Sequence, residues 1–180
     1  ISYLTCRAEY GADASSFFNT VTVRSRFVHF QKISMAPFGL RERLLEMIQS
    51  ETERAKQGDV AEMMLKMNAL EDPQMIEALC EASRAGVKVQ LNVRGICCLR
   101  PGLPGISDNI RVRSIVDRFL EHSRIMVFGD GNKAQAYLSS ADWMPRNLDR
   151  RVEVMFPVEA PELRRRICEE IIPIYLQDNT

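Results

Sequence analysis

Nowhere in its 180 residues does the sequence hold an apolar run approaching the roughly 18 residues that span a bilayer. No secretory leader is visible at its start. It carries no net charge, with 24 basic and 24 acidic residues, which argues against a broadly basic nucleic-acid-binding surface. It has no CxxC pair. Its five cysteines, Cys6, Cys80, Cys97, Cys98 and Cys168, are odd in number and two are adjacent, so they form neither a disulfide framework nor a zinc site. Free thiols of this kind suit a reducing, cytoplasmic setting. There is no internal repeat and no low-complexity tract. Lysine is scarce: the basic residues are mostly arginine, whose planar, permanently charged fork matches phosphate and carboxylate oxygens. Histidine is scarcer still, with only His29 and His122.

What is present fits a globular domain. Hydrophobic residues make up 46% and charged residues 27%, enough for a self-sufficient core at this length. The chain opens on Ile1 rather than methionine and is expected to be a segment of a longer protein. Residues 1–36 read as the end of a preceding domain plus a connector. Within them ISYLT has strand character, GADASSFFNTVT suits a short helix, and RFVHFQKISMAP has no clean period. His29, in that last stretch, is expected to be structural.

From residue 37 to 180 the signals sharpen into a second domain. FGLRERLLEMIQSETERAKQG places Leu40, Leu44, Met47 and Ile48 on one helical face, with Gly58 as a stop. VAEMMLKMNA is an apolar run of strand length. EDPQMIEALCEASRAG is a punctuated helix: Asp72 can cap it, Pro73 sits in its first turn, and Gly86 follows its end. VKVQLNVRG then alternates Val87, Val89, Leu91 and Val93 along one face. Strand, helix and strand in this order predict a βαβ unit with parallel neighbouring strands. A Gly- and Pro-rich loop, CLRPGLPGISDN, precedes four further strand-like runs, IRVRSIV, RIMVFG, AQAYLSSA and RRVEVMFPV. A closing helix, APELRRRICEEIIPIYL, repeats Leu163, Ile167 and Ile171. The fold class is therefore α/β, with a mixed sheet flanked by helices.

Several residues could carry chemistry. Arg94 ends the second strand of the βαβ unit, where ligands of open α/β sheets gather, and Gly95 beside it lets the backbone approach closely. Asn68 ends the preceding strand at the same edge, and Arg100 in the following loop could close over an anion or simply be solvated. His122 and Arg124 form His-x-Arg at the entry to IMVF, and alternation puts the two on the same side of a strand. A cationic neighbour favours a neutral imidazole, able to act as base or nucleophile. Downstream, YLSSADWMPRNLDRRVE packs Ser140, Asp142 and Glu153 with several arginines into a short stretch. Glu153 inside a strand needs a partner, either for catalysis or in an ion pair with Arg150 or Arg151. No metal-binding cluster is apparent. From the residues alone, a structural role at each position stays open.

His-x-Arg, then a strand, then SSAD…RN…E resembles the second half of the phospholipase D superfamily. There the order is His-x-Lys with an Asp five residues on, followed by Ser-x-Asn and an acid. Here Arg124 replaces the lysine, residue 129 is glycine with Asp130 beside it, and Asp142 stands for the asparagine. A longer match exists. KMNALEDPQMIEALCEASRAGVKVQLNVRGICCLRPG, FLEHSRI and YLSSADWMPRNLDRRVEV resemble the bacterial polyphosphate kinase family, over about residues 37–175.

That resemblance implies an enzyme that reversibly transfers the terminal phosphate of ATP to inorganic polyphosphate, with magnesium, through a phosphohistidine. It implies a second C-terminal phospholipase-D-like domain for this chain, with the phosphorylated histidine upstream of Ile1. Arg94 and His122 are the positions it assigns to the ATP site, with Arg124, Asn68, Arg100, Ser140, Asp142 and Glu153 as further candidates. Mg2+ would be held mainly by phosphates and by residues outside this chain. Partners would be ATP or ADP, polyphosphate and the other domains of the same protein, in a cytoplasmic homo-oligomer open to peripheral membrane association, with no nucleic acid. A phosphodiesterase of the phospholipase D superfamily, or a non-catalytic polyanion-binding domain, are the alternatives.

Overall fold

The computed structural model describes residues 2–22, 29–116 and 118–177. Helices α1 (Ala8–Val21), α2 (Leu40–Lys56), α3 (Pro73–Arg84), α4 (Pro145–Asp149), α5 (Pro161–Arg166) and α6 (Ile172–Gln177) accompany seven strands. The strands are β1 (Ser34–Ala36), β2 (Glu62–Met67), β3 (Lys88–Val93), β4 (Ile110–Arg113), β5 (Ile125–Phe128), β6 (Gln135–Ser139) and β7 (Glu153–Pro157). A π-helical turn, Ile167–Ile171, joins α5 to α6, so the closing helix is nearly continuous. Among the described residues no helix is long and apolar enough to cross a membrane.

The strands form one mixed sheet in the order β1-β7-β6-β5-β2-β3-β4. The βαβ unit expected from the sequence is present: β2 and β3 pair in parallel, and α3 between them has the foreseen punctuation. The Asp72 carboxylate accepts the Met75 N–H at 3.1 Å, Pro73 occupies the first turn, and Gly86 follows with φ of 99°. β4 adds in parallel beyond β3, while β5 inserts on the other side of β2 in antiparallel sense. β6, β7 and β1 continue antiparallel.

This alternation has a geometric result. The C-terminal ends of β1, β2, β3, β4 and β6 and the N-terminal ends of β5 and β7 all reach the same rim of the sheet. One face of the sheet buries Leu44, Ile48, Met75 and Leu79 of α2 and α3 against Met63, Leu65, Val89 and Leu91. Each such side chain contributes about 1.5–3 kcal/mol when fully buried. The other face buries Met64, Ile125, Val127 and Leu138 beneath Ile167 and Ile172 of the closing helix.

Two local readings are corrected. ISYLT is not a strand: residues 2–7 are irregular, and Tyr3 stacks on Phe156 at 5.7 Å between ring centroids. The backbone edge of β7 is filled instead by Ser34–Ala36, from the stretch that showed no period. Helix α1 is tied to the sheet by the Tyr10 hydroxyl, which donates to the Pro157 carbonyl at 2.7 Å. The buried Asp13 carboxylate also accepts the N–H groups of Gln31, Lys32 and Ile33 at 2.9, 2.6 and 2.9 Å.

Candidate functional site

The shared rim gathers most of the candidate residues. Asn68 follows β2, Arg94 follows β3, His122 and Arg124 precede β5, Ser140 follows β6, and Glu153 begins β7. A cleft of about 580 Å³ opens there, lined by His122, Arg124, Ser139, Ser140, Phe156 and Tyr175 among others.

Asp142 is the centre of the charge network. Its Oδ1 accepts the Asn68 N–H at 2.7 Å and the Arg124 Nε at 3.0 Å, and its Oδ2 accepts Arg124 Nη2 at 2.8 Å. Burial pushes the Asp142 carboxyl up, but the bonds from Arg124 and from the Asn68 backbone outweigh it and hold the group below the ordinary carboxylate range. The remaining prong of Arg124 turns to His122. Nη1 lies 3.2 Å from Nδ1 of the ring and donates to the His122 carbonyl at 3.1 Å. Nη2 also lies 3.4 Å from Nε2, so both ring nitrogens face the guanidinium. The His-x-Arg contact expected from the sequence is therefore present, but its geometric premise is corrected. β5 starts at Ile125, so His122 and Arg124 sit on an irregular approach and meet through that bend. His122 is exposed; the Arg124 side chain is largely buried.

Arg94 is half-buried at the end of β3. Its backbone N–H donates to the Met67 carbonyl at 3.2 Å, and its carbonyl accepts the Ser114 hydroxyl at 3.1 Å. Among the described residues its guanidinium makes no hydrogen bond or ion pair, which leaves a strand-end cation with open donors. Gly95 has a different use from the one expected. Its N–H donates to the Asn68 carbonyl at 2.8 Å, and a Cβ there would stand 3.0 Å from that oxygen. The glycine brings the ends of β2 and β3 together. Arg100 is exposed, and among the described residues only its carbonyl is engaged, by the Ser107 hydroxyl at 2.8 Å.

The exposed Ser140 and the buried Glu153 form a brace across the ends of β6 and β7. The Ser140 hydroxyl donates to Glu153 Oε2, and Asn147 Nδ2 donates to Oε1 at 2.9 Å. Ser140 Oγ also accepts the Val154 N–H at 3.0 Å, joining the ends of β6 and β7. The ion pair of Glu153 with Arg150 or Arg151 is not formed; both arginines are exposed, and the short helix α4 supplies Asn147 instead. Asp130, beside the glycine that departs from the phospholipase D pattern, lies at the opposite end of β5 and pairs with Arg54 at 3.1 Å. His29 is exposed and precedes β1 at that same far end.

One site residue escapes sequence reasoning. Lys66 lies in the middle of the apolar run of β2 and is fully buried. Its Nζ lies 3.9 Å from Glu121 Oε2. Burial pulls the ammonium below its ordinary value; Glu121 opposes this, while Arg94 and Arg124 add to it. Three cations therefore share one neighbourhood at the rim. The signal available in the sequence was the charge itself, since a lysine is almost never fully buried unless paired.

Asp142 and Glu153 are committed to Arg124, Asn68, Ser140 and Asn147, and among the described residues no group of three or more His, Cys, Asp or Glu could hold a metal ion.

Residues 33–180 match the family model described as Polyphosphate kinase C-terminal domain 2. The chain is 54% identical over 179 residues to a polyphosphate kinase of Rhodopirellula baltica, covering 99% of this chain and 21% of that protein. It is 50% identical over 179 residues to a polyphosphate kinase of Pseudomonas aeruginosa, covering 99% of this chain and 26% of that one. The crystal structure of polyphosphate kinase from Porphyromonas gingivalis superposes with a TM-score of 0.92 at 42% identity, over 97% of this chain and 27% of that chain. Nuc from Salmonella typhimurium, a phospholipase D family member, gives a TM-score of 0.59 at 16% identity over 82% of this chain and 95% of its own, a likeness of fold alone. The chain spans about a fifth to a quarter of the length of these kinases.

Proposed function

The chain belongs to the polyphosphate kinase family, and from that premise we propose that it supplies one wall of a two-domain site that moves the terminal phosphate of ATP reversibly onto inorganic polyphosphate. The observation that carries this reading is the rim itself. An exposed histidine, His122, stands beside Arg124 and in the same neighbourhood as Arg94, whose guanidinium is uncommitted among the described residues.

Phosphoryl transfer asks the protein for positioning and for positive charge on the oxygens. Arg94 has open donors for phosphate oxygens, in the fork geometry that suits them. Arg124 is spent on Asp142 and His122, so its part is to orient the ring rather than to grip substrate. His122 can assist the leaving oxygen as the bond from the γ-phosphorus to ADP breaks, as an imidazolium that donates a proton or by stabilising the developing charge. The phosphoryl group would pass to a histidine of the preceding domain, and in the second half-reaction to the terminal oxygen of polyphosphate. A covalent phosphohistidine divides one transfer into two. Magnesium, which the family implies, would rest on phosphates and on groups outside these residues; no step here is routed through it.

The domain division is the expected one, after residue 36, shifted three residues toward the start of the chain because β1 belongs to this sheet. Residues before β1 would come from the end of the preceding catalytic domain, and the pairing of β1 with β7 supports setting the boundary just before Ser34. ATP or ADP, polyphosphate and the other domains of the same protein are the partners this site would need. A phosphodiesterase reading has less support, because the cation after the histidine is locked into an ion pair with Asp142.

Residues 1–180 alone, incubated with ATP and magnesium, should yield no polyphosphate and no phosphohistidine. Recovery of either labelled product from the purified chain would overturn the half-site reading. Magnesium-independent cleavage of a phosphodiester would favour the phosphodiesterase reading instead.

A further inference from the structure

The proposed role of His122 leaves the buried cation beneath it unexplained. Lys66 has no exposed surface, so it does not reach the cleft. Its Nζ donates instead to the backbone carbonyls of Glu121, at 3.2 Å, and Ser123, at 3.4 Å. These residues stand immediately before and after His122. The same Nζ lies 4.8 Å from the centre of the Tyr175 ring, a cation–π distance. Tyr175 in turn holds the segment directly, with its hydroxyl 3.0 Å from the Ser123 hydroxyl. Helix α6 is itself anchored from the sheet, where Asn92 Nδ2 donates to the Tyr175 carbonyl at 3.5 Å.

The segment needs such a grip. Residues 121–124 belong to no strand, and among the described residues their backbone meets the sheet only where the Arg124 carbonyl accepts the Ser139 N–H at 3.3 Å. Among the described residues the His122 N–H reaches only the neighbouring Leu120 carbonyl, at 3.2 Å. An ammonium group has three donors and suits two carbonyls at once, whereas an apolar side chain of equal size would leave both without that partner.

We propose that Lys66 and Tyr175 are positioning residues that hold Glu121–Ser123 from below so that the His122 ring faces the cleft. The closing helix, whose Tyr175 lines the cleft, thereby becomes part of the site. The link to catalysis rests on the role of His122 proposed above; the grip on the segment does not.

The test uses the full-length enzyme with Lys66→Met, His122→Ala, their combination, and Tyr175→Phe. Hydrogen exchange followed by mass spectrometry reads the segment directly. Lys66→Met should speed exchange of the amides at 121–124 by about tenfold or more, with α3 and β3 unchanged. Tyr175→Phe keeps the ring and removes only the hydroxyl, so it should give a smaller increase at the same amides without loss of thermal stability. It carries the test if Lys66→Met fails to fold. In polyphosphate synthesis Lys66→Met should lower kcat by roughly 10- to 100-fold, the scale of a small misplacement, with KM for ATP changed by less than about threefold. In the His122→Ala background the same substitution should cause no further loss.

Wild-type exchange at 121–124 in the folded variants would overturn the proposal. So would an equal loss of kcat from Lys66→Met in both backgrounds. Faster exchange together with a fully active His122→Ala enzyme would confirm the grip and sink the catalytic assignment of His122, so the two failures are distinguishable.

Discussion

Arg124 and Asp142 meet through two parallel bonds, Nε to Oδ1 at 3.0 Å and Nη2 to Oδ2 at 2.8 Å, with both side chains close to nine-tenths buried. Removing the charge of one partner strands the other in a low-dielectric setting. Asp142→Asn should therefore destabilise the domain by about 3–5 kcal/mol, measured by urea unfolding at pH 7. The pH dependence has a definite sign. The folded carboxyl titrates below its unfolded counterpart, so its contribution is full above roughly pH 4 and is lost as pH falls through the depressed folded value. The stability gap between wild type and Asp142→Asn should narrow as both are titrated downward from pH 4.

His122 and Arg94 lie at the rim, one exposed and the other half-buried, so their removal should leave the fold intact. In the full-length enzyme, His122→Ala should reduce polyphosphate synthesis by about 10²- to 10⁴-fold, the range for a lost acid–base group. Arg94→Ala should reduce it by about 10²- to 10³-fold, as for a lost electrostatic donor. His29→Ala, at the far end of the sheet, is the matched control and should retain wild-type rates. Near-normal synthesis by either rim variant would refute the assignment.

Gly95→Ala probes the seam between β2 and β3. The added methyl would press on the Asn68 carbonyl at 3.0 Å, where backbone rather than a flexible side chain must yield. The expected result is a loss of about 1–3 kcal/mol, the scale of overpacking. Activity should fall further than stability alone explains, because Asn68 and Arg94 both hang from this seam. Equal stability and activity to wild type would show that the seam is compliant.

Asp13→Ala tests the attachment of α1. It would leave three backbone N–H groups, those of Gln31, Lys32 and Ile33, without their acceptor. A cost of roughly 1–3 kcal/mol per buried group left unsatisfied sets the scale, softened by water reaching this half-buried turn. Faster proteolysis before β1 should accompany the lower unfolding midpoint; unchanged cleavage would mean that α1 is held by Tyr10 alone.

The order of elements from residue 37 was legible because each boundary carries its own chemistry. Asp72, Pro73 and Gly86 frame α3 by local rules, and alternation along Val87–Val93 needs no distant partner. Arg94, Asn68 and His122 were legible as strand-end residues for the same reason. The partner of Asp142 was not, because Arg124 precedes it by a whole hairpin and only strand pairing joins them. Glu153 read as an acid in need of a cation and found a serine and an amide. Lys66 was hidden by its apolar neighbours Met63, Met64, Leu65 and Met67, and Tyr175 by the regularity of the helix around it. β1 was invisible: Ser34, Met35 and Ala36 have no strand signature, and their extended form is set by β7.

The pairing of Ser34 with Met155 also sets an order of events during synthesis. β1 leaves the ribosome long before the strand that receives it. At roughly 5–20 residues per second, the wait until β7 emerges is on the order of ten seconds. Throughout that interval whatever precedes β1 is tethered to an unfinished sheet and is free to fold on its own. The closing helix, which carries Tyr175, follows β7 within moments. The nascent chain therefore secures its upstream neighbour and completes the support beneath His122 in almost the same instant.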